Sequence, residues 1–101
     1  VILKALVEIM PNKKADKEMI DELFELISSL KTKEDCYGLF GDLCTVKEIE
    51  QMAQRIKAAK LLLAGNTFKQ VTEQCEISSA TLSRVSRCVK YGEGYNKFLK
   101  N

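Results

Sequence analysis

Phe68 to Arg87, FKQVTEQCEISSATLSRVSR, is the stretch whose reading decides the fold. Apolar residues at Val71, Cys75, Ile77, Leu82 and Val85 have the spacing that lets two short helices lock together at a steep angle, as in a helix-turn-helix. The slots between them carry Ser78, Ser79, Ala80, Thr81, Ser83, Arg84 and Arg87, small, hydroxylated or basic types that can approach base edges and phosphates closely. Two positions depart from the usual pattern. Glu76 stands at the turn where glycine is common, because glycine reaches left-handed backbone angles without a Cβ penalty. Thr72 stands where alanine usually lets one helix nestle under the other. The competing reading is an ordinary αα-hairpin whose apolar spacing is simply core.

Charge bears on that choice. Residues 1–50 hold 7 Lys+Arg against 11 Asp+Glu, and residues 51–101 hold 9 against 3, so a formal total of +2 conceals a basic C-terminal half. Affinity for a duplex comes largely from counterions released by phosphate neutralisation, and Lys69, Arg84, Arg87 and Lys90 gather basic charge where a reading helix needs it. The plainer alternative is a solvated basic face.

A chain of 101 residues has room for one domain with a modest core. Its first ten residues, VILKALVEIM, are apolar but include Lys4 and Glu8 and run into Pro11. That is too short and too charged for a membrane span and lacks the features of a signal peptide, so a soluble, cytoplasmic protein is expected. The absence of an initial methionine is read as a missing or processed N-terminus.

Cys36, Cys44, Cys75 and Cys88 form no C-x-x-C pair and the chain has no histidine, so no metal site is expected. The thiols read as small buried hydrophobes. With no histidine base, glycine-rich phosphate loop or nucleophile elbow, the chain offers no case for an enzyme.

Helical periodicity dominates, and the fold expected is all-α. A short helix is expected within Val1–Met10. A second, capped by Asp16, should run to about Leu30 with a stripe of Met19, Ile20, Leu23, Phe24, Ile27 and Leu30. Thr32 with Asp35 resembles a capping box and should open a short third helix bearing Tyr37, Leu39 and Phe40, weakened by Gly38 and Gly41. Thr45 with Glu48 should open the longest helix, to about Ala64, with Val46, Ile49, Met52, Ala53, Ile56 and Leu63 facing inward and Gly65 as its C-cap. The motif helices should span about Thr67–Gln74 and Ser79–Lys90, the second capped by Ser78 or Ser79. The tail after Gly92 and Gly94 either frays or folds back through Tyr95, Phe98 and Leu99. Residues 1–44 thus read as dimerisation helices, 45–64 as a central helix, 67–90 as the reading head and 91–101 as a tail. The apolar surface of the N-terminal part, including Ile2, Leu3, Leu6, Val7, Ile9 and Met10, exceeds what so small a head could cover and suits packing on a second subunit.

Two segments, DLCTVKEIEQMAQRIKAAKLLLAGNTF and EISSATLSRVSRCVKYGEGY, carry a resemblance to the tryptophan repressor superfamily, and more closely to its YerC/YecD-type branch. The resemblance extends from about Asp16 to Tyr95. It implies a tryptophan-repressor-like architecture, an intertwined helical homodimer that binds double-stranded DNA as a transcriptional regulator. It also implies that Lys69, Gln70, Ser79, Ala80, Thr81, Ser83 and Arg84 lie on the DNA-facing surface. Water-mediated base contact belongs to the tryptophan repressor itself and comes to this chain only through the resemblance. In that repressor two arginines sandwich an indole; Arg55 and Arg84 match them, and Thr45 and Thr81 match its threonines. Val85 replaces a glycine that leaves room for the indole, and Cys88 replaces a hydrogen-bonding serine, so L-tryptophan is disfavoured as a co-repressor, and a small-molecule effector remains one alternative. Arg55 has a plainer alternative as a surface partner of Glu48 or Gln51.

The function expected is therefore that of a homodimeric, sequence-specific repressor, with Ser78–Ser83 in the major groove and Lys69, Arg84, Arg87 and Lys90 on phosphates. Its two reading helices should stand about 34 to 36 Å apart, one helical turn of DNA. One rival is a version gated by a small effector held between Arg55 and Arg84. The other is a helix-turn-helix module that docks a protein instead of DNA.

Overall fold

The computed structural model describes residues 13–100. All the regular elements among them are helices: α1 (Lys14–Ser28), α2 (Lys33–Leu43), α3 (Val46–Leu63), α4 (Phe68–Gln74), α5 (Ser79–Tyr91) and α6 (Gly94–Leu99). The helix expected within Val1–Met10 lies outside the described residues.

Local chemistry sets most of the boundaries. At α2 and α3 the hydroxyls of Thr32 and Thr45 accept from the backbone N–H of Asp35 and Glu48, whose carboxylates accept in return from the threonine N–H groups. Both are capping boxes that satisfy N–H groups a helix start would otherwise leave without partners. Hydrogen bonds hold both carboxyls below their ordinary range: the Lys31 N–H, just outside the box, is the largest influence on Asp35, and the Thr45 N–H on Glu48. At the far end of α3, Gly65 adopts φ 95°, its N–H bonds to the Leu62 carbonyl, and the Asn66 N–H reaches back to that of Leu61. This pairing is a Schellman motif, and its left-handed residue is what calls for glycine. α1 begins earlier than expected. Lys13 is its N-cap, with no side-chain bond, and Asp16 lies in its first turn, where a carboxylate favours the helix dipole. Nor is α2 curtailed by its glycines, since it completes 11 residues.

The core among the described residues comprises Ala58, Ala59, Val71, Cys75, Leu82 and Val85, with Leu61, Leu62, Ile77, Val89, Tyr95 and Leu99 packed around it. The adjacent alanines let α5 lie close against α3, and Val71 and Cys75 bring α4 onto the same site. The tail folds back: Tyr95 and Leu99 of α6 pack on the core, Phe98 stays exposed, and the Asn96 amide donates to the carbonyls of Val89 and Gly92 at the end of α5.

The inward face assigned to the long helix requires correction. Val46 is 72% exposed, Ile49 and Ile56 are exposed too, and it is Ala58 and Ala59 that are fully buried. α1 and α2 contribute no buried residue, and Met19, Phe24, Leu26, Tyr37 and Leu43 are exposed along them. The radius of gyration, 15.1 Å, exceeds the value of about 13 Å for a compact chain of about 100 residues. Cys36 is exposed and Cys44 and Cys88 are half-buried, so only Cys75 matches the expectation of a buried thiol.

Candidate nucleic-acid interface

α4 and α5 form two arms set by one local cap and two contacts with the rest of the chain. Thr67 and Gln70 make a third capping box at the start of α4, with the Gln70 side chain accepting from the Thr67 N–H at 2.8 Å. Buried Val71 then anchors α4. The chain leaves that helix at Cys75 in an extended conformation, with no non-glycine residue at positive φ among the described residues. A left-handed glycine is therefore unnecessary in this turn. Instead the Glu76 N–H donates to Oε1 of Gln54 on α3 at 3.1 Å, which satisfies a turn amide through a side chain. Thr72, at the slot where alanine is common, is exposed and returns its hydroxyl to the Lys69 carbonyl at 2.8 Å.

Ser78 caps α5: its Oγ accepts from the Thr81 N–H at 3.1 Å and donates to the Thr81 hydroxyl at 2.9 Å. Leu82, Val85 and Ser86 face inward from α5. The 3.6-residue period then leaves Ser79, Ala80, Ser83, Arg84, Arg87 and Lys90 exposed. Lys69 and Gln70 are exposed on the neighbouring α4. No acidic residue occupies the first turn of α5, so the positive end of its dipole is left unopposed by the helix's own side chains. Small side chains at the start of a helix and guanidinium groups one and two turns later make a surface that can approach a polyanion.

Between α3 and the turn lies an open cleft of about 220 Å³ lined by Gln51, Gln54, Arg55, Glu76, Ile77, Ser78 and Thr81. Of the residues that resemblance assigns to an effector pocket, this cleft brings together Arg55 and Thr81. Arg84 lies exposed one turn beyond Thr81, Val85 is turned into the core, Cys88 is half-buried further along, and Thr45 is engaged in the cap of α3. Gln54 and Glu76 stand outside the expected site residues, since a contact across 22 positions leaves no periodic trace. The Thr67–Gln70 box, by contrast, has a readable T-x-x-Q signature that a DNA-facing assignment of Gln70 obscures.

Comparison with known proteins finds relatives in sequence and in overall fold. The family model described as Trp repressor protein matches residues 18–101. The uncharacterised Bacillus subtilis protein YerC is 48% identical over 73 residues, covering 72% of this chain and 70% of its own. A Trp operon repressor homolog of Chlamydia caviae is 32% identical over 82 residues, covering 79% and 81% respectively. A solved Staphylococcus aureus structure, provisionally described as a Trp repressor, superposes with a TM-score of 0.74 at 38% identity, covering 81% of this chain and 82% of that one.

Proposed function

The chain belongs to the Trp repressor protein family, and from that membership we propose that it is a cytoplasmic, homodimeric, sequence-specific DNA-binding transcriptional repressor. The observation that carries this reading is the outer face of α5, where Ser79, Ala80, Ser83, Arg84 and Arg87 are all exposed while Leu82 and Val85 fix the helix from beneath. In the proposed complex the first turn of α5 enters the major groove. Ser78, Ser79, Ala80, Thr81 and Ser83 lie near base edges, directly or through water, and Lys69, Gln70, Arg84, Arg87 and Lys90 hold the backbone.

The proposed second subunit covers the apolar faces left open on α1, α2 and the first half of α3. Met19, Phe24, Tyr37, Leu43, Val46 and Ile49 are more surface than a solitary helical domain of this size usually leaves to water. Two-fold symmetry then supplies a second α5 and a palindromic operator.

Arg87→Ala tests the reading. Taking one guanidinium away from the DNA backbone in each subunit should weaken binding to all duplexes and lower the slope of log affinity against log salt by about 1 for each phosphate no longer neutralised. Substitution of Ser79 or Ala80 should instead change which sequence is preferred. An unchanged salt slope in Arg87→Ala removes that residue from the footprint.

A small-molecule co-repressor is a second reading, supported by Arg55 and Thr81 sharing the cleft beside the reading helix. It predicts a thermal midpoint that rises with ligand concentration for one of the amino acids; no rise for any of them refutes an amino-acid effector.

A further inference from the structure

We propose that Gln54 is a positioning residue for the reading helix: its amide oxygen pins the turn between α4 and α5 to α3 and thereby sets the angle at which α5 is presented. The inference rests on the DNA-reading role proposed above and identifies a residue on another helix that governs its specificity.

Apolar packing holds α5 on the core but supplies no directional contact at the turn. Around Leu82 and Val85 the buried cluster is completed by Ala58, Ala59, Val71 and Cys75, with Leu61, Leu62, Ile77 and Val89 packed against it, and such contact is non-directional. Alanine pairs set how closely two helices approach but offer few ridges to resist rotation. Nor do the caps of α3, α4 and α5 help, because each joins residues three positions apart and leaves the hairpin free of α3. The bond from the Glu76 N–H to Gln54 Oε1 differs, as it is directional and spans 22 positions. It also stands beside the end of α5 that matters, since Gln54, Glu76, Ile77, Ser78 and Thr81 line one cleft and Ser78 caps the reading helix. A small rotation about the core, checked at this point, would otherwise swing Ser79, Ala80 and Ser83 out of register with base edges.

Two substitutions and two readouts test this. Gln54→Leu removes the acceptor while keeping a good helix former; Gln54→Glu keeps an oxygen acceptor for the Glu76 N–H. The readouts are hydrogen exchange of the Glu76 amide and the ratio of affinity for a selected duplex to that for random duplex. The ratio is used because the added carboxylate weakens binding to every duplex alike. Gln54→Leu should raise Glu76 exchange and lower the specificity ratio, each about fivefold, the size of one net hydrogen bond, with the thermal midpoint lowered by no more than about 4 to 8 °C. Gln54→Glu should restore both. Unchanged Glu76 exchange in Gln54→Leu overturns the tether alone, and raised exchange with an unchanged ratio overturns its role in reading. A wild-type chain that prefers no sequence overturns the regulator reading and with it the specificity half of this inference, while exchange still reports on the tether.

Discussion

Replacing Gly65 and Gly41 by alanine, one at a time, should shift stability in opposite directions, although an added Cβ meets nothing within 4 Å at either site. At Gly65 the backbone sits at φ 95°, a region that costs a residue with a Cβ about 1 to 2 kcal/mol. Alanine offsets part of that by about 0.4 to 1 kcal/mol through a less disordered unfolded chain. The net expectation is a loss of about 1 kcal/mol, or a midpoint lowered by about 4 to 8 °C in a domain of this size. Gly41 lies inside α2, where glycine is worse than alanine by about 0.5 to 1 kcal/mol, so Gly41→Ala should raise the midpoint by a comparable amount. Thermal unfolding followed by far-ultraviolet circular dichroism at fixed protein concentration reads both. A Gly65→Ala chain as stable as wild type would refute the claim that the left-handed angle, through the Schellman turn, ends α3 and aims the chain into α4.

Other expectations follow from the core, the caps and the reading face. Leu82 is 1% exposed at the centre of the core, so Leu82→Ala should cost about 2 to 5 kcal/mol and, in so small a core, leave little folded protein in a denaturant titration. Asp35 and Glu48 have folded-state carboxyls held below their ordinary values. The caps therefore contribute stability that is full above the ordinary carboxylate range and is lost as the pH falls through the depressed folded values, below about pH 4. Replacing both by their amides, Asp35→Asn and Glu48→Gln, should flatten the acid limb of a midpoint-against-pH curve; an unaltered limb would show that other groups govern acid unfolding.

Much of the architecture was legible because its determinants are local. A threonine and a carboxylate three positions apart announce where α2 and α3 begin, and Gly65 announces where α3 ends, without any tertiary knowledge. Asp16 misled for the same reason: a carboxylate favours both the cap and the first turn, and only the observed helix distinguishes them. Periodicity identified an apolar face on α3 but could not say what meets it. Val46 and Ile56 stand exposed on the described chain, and the burial falls on Ala58 and Ala59, small residues that carry little periodic signal. The outward and inward sides of α5 followed directly from its 3.6-residue repeat. The hold of Gln54 on Glu76 did not, since two polar residues 22 positions apart have no sequence pattern that pairs them.

The central claim is that two copies of α5 read DNA together. A selection of bound duplexes from a random pool at physiological salt tests it most directly, because specific and non-specific affinities there differ by several orders of magnitude. The account predicts recovery of a two-fold symmetric motif whose half-sites lie about one helical turn apart, about 34 to 36 Å between centres. A pool that emerges without a shared motif, with or without added amino acids, would contradict it.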